Sequence, residues 1–238
     1  MTVQSAQLVL PISIDPDATW AHWVSRVETE HLESAVQQVA GERDQGVFVW
    51  GGAGEGKSHL LQASCAGQSE SVRYIPMDAV LDYPPAAVLE AAEHESLVVI
   101  DDIHLLSEHR IWQEGVFHCF NRCMQNSTPF LVSARTAPSG LTSFLPDLQS
   151  RLSLLSVFKL PAWCDADFET LLVRLAHARG LSFTPEVARF LGLRIRRTPA
   201  DAERIIRSID QSSLVEQRAP TIPFLKTLGY RHRLSVQR

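Results

Sequence analysis

The chain has 238 residues and a net charge of -5, and 45% of its residues are hydrophobic while 21% are charged. This balance indicates a folded globular protein, and no apolar run approaches the length of a membrane-spanning helix. The N-terminus lacks the basic start and small-residue cleavage site of a signal peptide, so we expect a cytoplasmic protein with no membrane partner. The negative charge provides no broad basic field, which argues against strong direct binding to DNA.

The four cysteines form no C-x-x-C pair. They are Cys65, Cys119, Cys123 and Cys164. Without such a pair or a cluster of other ligands nearby, we predict that all four are core thiols, the alternative being a metal or redox site.

From residue 47 onward, short apolar runs alternate with helical patterns, as expected for a parallel sheet with crossover helices. The predicted strands are 47–50, 72–75, 97–100, 130–133 and 157–160. Between the third and fourth strands, residues 112–125 carry apolar side chains at helical spacing, which predicts an amphipathic helix. Its predicted core residues are Val116, Phe117, Phe120 and Met124.

After residue 161 only helical patterns follow, which predicts a small all-helical second domain. Asp165 is the candidate N-cap of its first helix, and Gly180 is placed to end that helix. Thr184 and Thr198 each precede a proline, so each is expected to begin a further helix. The predicted divisions are an N-terminal segment 1–15, a base domain 16–161, a helical domain 162–230 and a basic tail 231–238.

Residues 51–58, GGAGEGKS, fit the P-loop pattern G-x-x-x-x-G-K-[ST], with a predicted strand before them and a predicted helix after them. Backbone N–H groups of such a loop surround phosphate oxygens, while Lys57 would reach the β and γ phosphates and Ser58 would bind Mg²⁺. The predicted phosphate-binding residues are Gly51, Gly52, Ala53, Gly54, Glu55, Gly56, Lys57 and Ser58. A glycine-rich turn is the alternative. We expect the unusual Glu55 side chain to point to water.

A second element, LVVIDD at residues 97–102, is an apolar strand that ends in two acids. Beside a P-loop this pattern is typical of a Walker B strand, and the alternative is an ordinary turn. Asp101 would hold Mg²⁺ through water, and Asp102 would orient or deprotonate the attacking water. The sequence therefore predicts a site for ADP or ATP with Mg²⁺.

Several stretches together resemble the DnaA branch of the AAA+ ATPases. They are GGAGEGKSHLL, VVIDDIHLL, FHCFN, PFLVSARTAP and LPDLQSRL. The resemblance covers most of the chain and implies an α/β fold, in which an αβα P-loop base with a five-stranded parallel sheet precedes a small all-helical lid. It also implies that His59, Trp23 and Val24 lie near the nucleotide, although a core anchor is an equal alternative for each tryptophan of this region.

Within LPDLQSRL, Arg151 falls where the family has its arginine finger. Such a finger reaches across a subunit interface to the γ-phosphate of a neighbour and stabilises the charge that develops there. We expect Arg151 on an exposed loop. The alternative is a surface arginine paired with an acid.

The N-terminal pentapeptide QLVLP at residues 7–11 is similar to the motif by which bacterial proteins dock on the sliding clamp of DNA polymerase III. An extended segment offers the Gln7 amide for hydrogen bonds, Leu8 and Leu10 for apolar pockets, and Pro11 to stiffen the exit. The alternative is an N-terminal strand packed on its own domain.

Two positions depart from the family pattern. Ala134 stands where a polar sensor usually ends the fourth strand, which weakens the case for efficient turnover in the chain's own site. The sensor arginine of the lid falls on Glu203, with Arg204 adjacent, so either Arg204 serves after a one-residue shift or the sensor is lost.

The resemblance implies a regulator that acts on the initiator DnaA at the DNA-loaded clamp, and a homodimer is left open. The initiator carries a C-terminal helix-turn-helix domain, and we expect none after the lid here. The rivals are an autonomous ATPase such as a helicase loader, which Ala134 opposes, and a DNA-binding initiator paralogue, which the negative charge opposes.

Overall fold

The computed structural model describes residues 14–41, 46–66 and 71–232. Two compact units divide the chain, with the boundary between Pro161 and Ala162. The pentapeptide at residues 7–11 and the last six residues, 233–238, lie outside the described residues.

The base unit is built on five parallel strands in the order β2-β3-β4-β1-β5. The strands are β1 (Gly46–Trp50), β2 (Val72–Pro76), β3 (Leu97–Asp101), β4 (Phe130–Ala134) and β5 (Ser156–Lys159). The five-stranded parallel sheet is therefore confirmed, with strand ends within one residue of those expected from the sequence.

In the described part of the base unit, six helices accompany these strands. They are α1 (Glu30–Gly41), α2 (Lys57–Ala66), α3 (Met77–Val80), α4 (Pro85–Val88), α5 (Arg110–Gln125) and α6 (Pro146–Leu152). Short 3-10 turns lie at Val27–Thr29, Ala92–His94, Ile103–Glu108 and Pro138–Gly140. The connection from β1 to α2 is residues 51–56, the loop of the P-loop pattern.

Alternation along the central strands divides the core between the two faces of the sheet. Phe48 and Val132 join a buried cluster with residues of α5, whereas Val49 and Leu131 join a second cluster with residues of α1 and α2. Side chains on a strand point alternately to opposite faces, so each central strand contributes to both clusters. Burial on both faces explains why these strands are continuous apolar runs.

Helix α5 follows the predicted amphipathic pattern. Val116 and Phe120 are buried, and Phe117 and Met124 pack partly buried against the same cluster. The helical spacing in the sequence therefore identified the core-facing side correctly.

Up to residue 232, the second unit contains four helices, α7 (Asp165–Ala178), α8 (Pro185–Gly192), α9 (Pro199–Glu216) and α10 (Ile222–His232). Thr184 and Thr198 are N-caps, as predicted, and each side-chain oxygen accepts a backbone N–H three residues later. Gly180 ends α7 with φ 74°, and the N–H groups of Gly180 and Leu181 close the helix in a Schellman pattern.

Two predictions about individual residues of the second unit are wrong. The N-cap of α7 is Cys164, whose sulfur accepts the N–H of Asp167, while Asp165 is the first helical residue. Because Cys164 is exposed at this cap, it is not a core thiol; Cys65, Cys119 and Cys123 are buried. In the part of the chain that the structure describes, no helix is long and apolar enough to cross a bilayer.

The cap of α9 provides a stability test with a matched control. Thr198→Ala removes the oxygen that accepts the Asp201 N–H at 3.1 Å, so it should lower the free energy of unfolding by about 1 kcal/mol. Thr170→Ala, at an exposed position inside α7, should be neutral or slightly stabilising because alanine is the better helix former. Urea unfolding of both variants checks this, and equal effects would contradict the capping role.

Candidate functional site

The candidate site lies at the carboxyl ends of β1, β3 and β4. Gly51 follows β1 directly, Asp101 ends β3 and Ala134 ends β4. Because β4 lies between β1 and β3 in the sheet, the end of β4 stands between the P-loop and the two acids. Parallel sheets characteristically bind ligands beyond this edge.

The backbone of the loop requires glycine at several positions. Gly54 and Gly56 have φ of 75° and 108°, in the region that side chains disfavour. A Cβ added at Gly51 would lie 2.8 Å from the carbonyl oxygen of Leu160, so the loop also passes close to neighbouring backbone there. These constraints form a tight turn at the N-terminus of α2, where backbone N–H groups and the helix dipole favour an anion.

Lys57 is held against the loop. Its Nζ donates to the carbonyl oxygens of Gly51 at 3.0 Å and Gly52 at 2.8 Å, and the residue is only 5% exposed. An ammonium has three donors, so two are used to fix its position and the third remains for a phosphate oxygen. Burial lowers the pKa of Lys57, and the nearby carboxylates of Asp102 and Glu55 partly oppose that change.

Glu55 does not point to water, contrary to the prediction. Its side chain is half-buried and folds back over the first two glycines, where its carboxylate accepts the N–H of Gly52. The reason is that a backbone donor in a tight loop is a better partner for a carboxylate than its usual water shell. The loop therefore carries a negative charge of its own beside Lys57.

Asp101 is 4% exposed, and both of its carboxylate oxygens accept hydrogen bonds. The Ser133 hydroxyl donates to Oδ1, and the Tyr74 hydroxyl donates to Oδ2 at 2.7 Å. The amide of Gln62 in turn donates to the Tyr74 oxygen at 3.0 Å. Burial, followed by the charge of Asp101, raises the pKa of Tyr74, so the phenol stays protonated as the donor.

Asp102 adopts a left-handed backbone conformation, with φ 56°, directly after the strand. Its N–H donates to the hydroxyl of Ser133 at 2.8 Å, so one serine holds both acids. Burial, followed by the charge of Asp101, raises the pKa of Asp102, while Lys57 acts in the opposite direction. A carboxyl group whose pKa is raised is better able to accept a proton from water.

A cleft of about 240 Å³ adjoins these groups. It is lined by Ser58, Gln62, Tyr74, Pro76, Asp78, Ala79, Asp101 and Asp102. Its oxygen donors suit Mg²⁺, which is commonly held by one or two carboxylates together with waters and phosphates. No cluster of three histidine, cysteine, aspartate or glutamate ligands occurs among the described residues, which is compatible with that sparse mode of binding.

His104 is the least satisfied polar residue near the site. Both ring nitrogens are buried without a hydrogen-bond partner, and Nδ1 lies 3.7 Å from Oδ1 of Asp102. Burial, with smaller contributions from Arg135 and Lys57, lowers the pKa of His104 to about 4. The ring is therefore neutral at physiological pH.

On the other side of the loop, Trp23 packs between the core and the P-loop. It is 7% exposed, its indole N–H donates to Glu33 at 2.7 Å, and its ring lies beside that of His59, with centroids 5.8 Å apart and the ring planes tilted by 42°. The ring also lies 3.5 Å from the position a Cβ would take on Gly56. Trp23 is thus a core anchor that touches the loop, and Val24 beside it is buried as well.

Arg151 lies on helix α6 and not on a loop as predicted, but its side chain is exposed. Its guanidinium makes no hydrogen bond or ion pair with any residue in the described ranges.

Ala134 is fully buried at the end of β4, and its carbonyl accepts the N–H of Gly51 at 3.2 Å. In the second unit, Arg204 is exposed on α9 and pairs with Asp201 within the same helix.

The sequence reasoning missed Tyr74, Gln62, Ser133 and His104. The first three are ordinary polar residues on β2, α2 and β4, and only the strand order shows that they converge on Asp101. The signal that could have identified Ser133 is its place as a polar residue in the otherwise apolar strand β4, because buried polar groups need hydrogen-bond partners.

The pKa of His104 predicts how stability depends on acidity. Between about pH 6.5 and pH 4 the unfolded chain takes up a proton at this position that the folded chain does not, so the free energy of unfolding falls as the pH is lowered. His104→Leu removes this proton uptake. Urea unfolding near pH 7.5 and about pH 5 should show a smaller loss for the variant than for the native chain, and identical losses would refute the assignment.

The family described as the bacterial DnaA ATPase domain matches residues 17–157, and the family described as "Hda, lid domain" matches residues 165–228. Among solved structures, domain III of the replication initiation protein DnaA from Thermotoga maritima has a TM-score of 0.76 at 20% identity, over 87% of this chain and 93% of that chain.

AMPPCP-bound DnaA from Aquifex aeolicus gives a TM-score of 0.71 at 19% identity, over 82% of this chain and 66% of that chain. The Holliday junction branch migration motor RuvB from Thermotoga maritima gives a TM-score of 0.66 at 20% identity, over 86% of this chain and 68% of that chain. At such identities these structures show the fold alone. The family matches cover most of both units, and by them the chain belongs to the bacterial DnaA ATPase-domain family and is an Hda-like, DnaA-related AAA+ protein.

Proposed function

We propose that the chain is a negative regulator of replication initiation. It binds ADP or ATP with Mg²⁺, docks on the DNA-loaded sliding clamp through its N-terminal pentapeptide, and stimulates hydrolysis of the ATP bound to DnaA. The hydrolysis converts the initiator to its ADP form and prevents a second round of initiation. The decisive chemistry takes place in the partner.

The observation that carries this proposal is the state of Arg151. Moving an arginine out of buried ion pairs would cost free energy, because the charges of its partners would remain uncompensated. Arg151 is exposed on a short helix and makes no side-chain bond to any residue that the structure describes. Its guanidinium is therefore available to reach the γ-phosphate held by a neighbouring molecule, where charge develops during hydrolysis.

The chain's own nucleotide site supports this division of roles. Lys57 and the loop N–H groups would hold the phosphates, and Ser58 and Asp101 supply the oxygen atoms that Mg²⁺ prefers. Ala134 has no polar atom with which to orient a water at the end of β4. A site that binds nucleotide but hydrolyses it slowly suits a role in which the bound nucleotide sets the conformation and assembly of this chain.

Docking on the clamp accounts for the pentapeptide. In an extended segment Leu8 and Leu10 project to the same side, because side chains alternate along such a backbone. Two apolar anchors together with the Gln7 amide give a small surface patch both affinity and orientation. Docking on DNA-loaded clamp would also explain how a chain with a net charge of -5 acts at DNA without binding it strongly.

An autonomous ATPase remains the second candidate, because the structure gathers Lys57, Asp101 and Asp102 at one edge of the sheet. The purified chain would then hydrolyse ATP rapidly without DnaA or clamp. We expect slow turnover, since Ser133 is occupied with both acids and Ala134 cannot replace it. Steady-state hydrolysis by the chain alone separates the two functions.

The central test measures hydrolysis of DnaA-bound ATP in the presence of clamp loaded on DNA. Arg151→Ala should lose the stimulation, a decrease of about a thousandfold or more if the side chain acts as a finger, while still binding the clamp. Leu8→Ala combined with Leu10→Ala should lose stimulation because the chain no longer reaches the clamp.

Arg110→Ala is the matched control. Arg110 is an exposed arginine on α5 that pairs with Glu114, so its loss should leave stimulation unchanged. Full activity in both the Arg151 and the leucine variants would show that the proposed mechanism is wrong.

A further inference from the structure

The carboxylate of Glu33, in the first turn of α1, collects three side-chain donors. The indole N–H of Trp23 donates to Oε1 at 2.7 Å, and the Ser25 hydroxyl donates to Oε2 at 2.6 Å. The Thr29 hydroxyl also donates to Oε1. Burial raises the pKa of Glu33, but these hydrogen bonds outweigh it and hold the pKa below its usual value. The carboxylate is therefore charged at neutral pH, and hydrogen bonds to a charged acceptor are the strong ones.

Trp23 connects this carboxylate to the P-loop. Two carbons of its ring lie 3.5 and 3.8 Å from the position that a Cβ would take on Gly56. Gly56 has φ 108°, and its carbonyl accepts the N–H of Leu60 at 3.0 Å, so it is the residue at which the loop passes into α2. Because Lys57 follows directly, a shift of Gly56 would also move the backbone that carries the phosphate-binding lysine.

The place of the Trp23 ring depends on Glu33. The ring is 7% exposed, and a buried indole N–H without an acceptor costs free energy. Without the carboxylate, the indole would turn to bring its N–H to another acceptor or to water. Such a turn would take the ring away from Gly56 and leave the loop with more freedom.

We propose that Glu33 is a positioning residue for the phosphate loop, which it keeps in its binding shape by holding Trp23 against Gly56. The effect concerns the phosphates and not the base of the nucleotide. A loop that is already ordered loses less conformational entropy when its ligand binds. This inference rests on the nucleotide binding of the proposed function and assigns to that site a residue outside the P-loop and the acidic strand end.

The test compares a nucleotide with a ligand that has no base. Calorimetric titration of the full chain with ADP and with pyrophosphate, both in Mg²⁺, measures the two affinities. Glu33→Ala should weaken both by the same factor, about fivefold, because the cost of ordering one freed side chain is added to binding. Glu33→Gln keeps an oxygen that accepts the indole N–H, so it should restore most of both affinities.

Two further variants isolate the hydrogen bond from Trp23. Ser25→Ala removes another donor to the same carboxylate without touching the indole, so it should bind both ligands as the native chain does. Trp23→Phe removes the N–H from the other side and should weaken both ligands. Adding Glu33→Ala to Trp23→Phe should then cause no further loss, as expected for two residues that act through one interaction.

Three outcomes would overturn the inference, and each has a different meaning. If Glu33→Ala weakened ADP but not pyrophosphate, Glu33 would act through the base. If the variant lowered the free energy of unfolding in urea but left both affinities unchanged, its role would be structural only. A native chain that bound neither ligand would refute the nucleotide site of the proposed function and, with it, the role of Glu33.

Discussion

The hydrogen-bonded carboxylate of Asp101 is the constraint on which the nucleotide edge of the base depends. A charge at a buried strand end is costly unless its oxygens find donors, and Ser133 and Tyr74 provide them from the adjacent strands β4 and β2. The same serine receives the N–H of Asp102, so the two acids, the end of β4 and the second strand form one connected unit. These hydrogen bonds fix the two acids through protein groups alone, which reduces the rearrangement that binding would require.

The fold was predictable because its signals are local and repeated. The central strands β1, β3 and β4 are largely apolar, and α5 shows its buried face in the spacing of four residues. The P-loop was predictable for a related reason, since its pattern encodes a backbone shape that needs glycine at Gly54 and Gly56. The strands, helix α5 and the P-loop depend mainly on residues that are close together in the sequence.

What the sequence did not predict depends on which strands become neighbours. Tyr74 and Ser133 are separated by nearly sixty positions and meet only because β2 and β4 both flank β3. The wrong expectations for Glu55 and Cys164 have a different, local origin. Glu55 was assigned to water by its chemistry, and Cys164 to the core by its residue type, but in each case a nearby backbone N–H offered a partner.

The two family matches divide the chain into a DnaA ATPase-domain base and an Hda-type lid. Under the proposed function, the base with its phosphate loop and with Ala134 at the end of β4 would bind the nucleotide, while the exposed Arg151 would act on a second molecule. Regulation would then depend on the presence and orientation of the chain more than on its own turnover. The base would therefore tolerate slow chemistry as long as its nucleotide stays bound.

The carboxylate of Glu55 bears on how long that nucleotide stays. A fixed negative charge within the loop repels the phosphates it surrounds, and this repulsion grows with each charge the nucleotide carries. It acts throughout the bound lifetime, so it shortens residence more for a triphosphate than for a diphosphate. Glu55 would thus favour a bound diphosphate over a bound triphosphate.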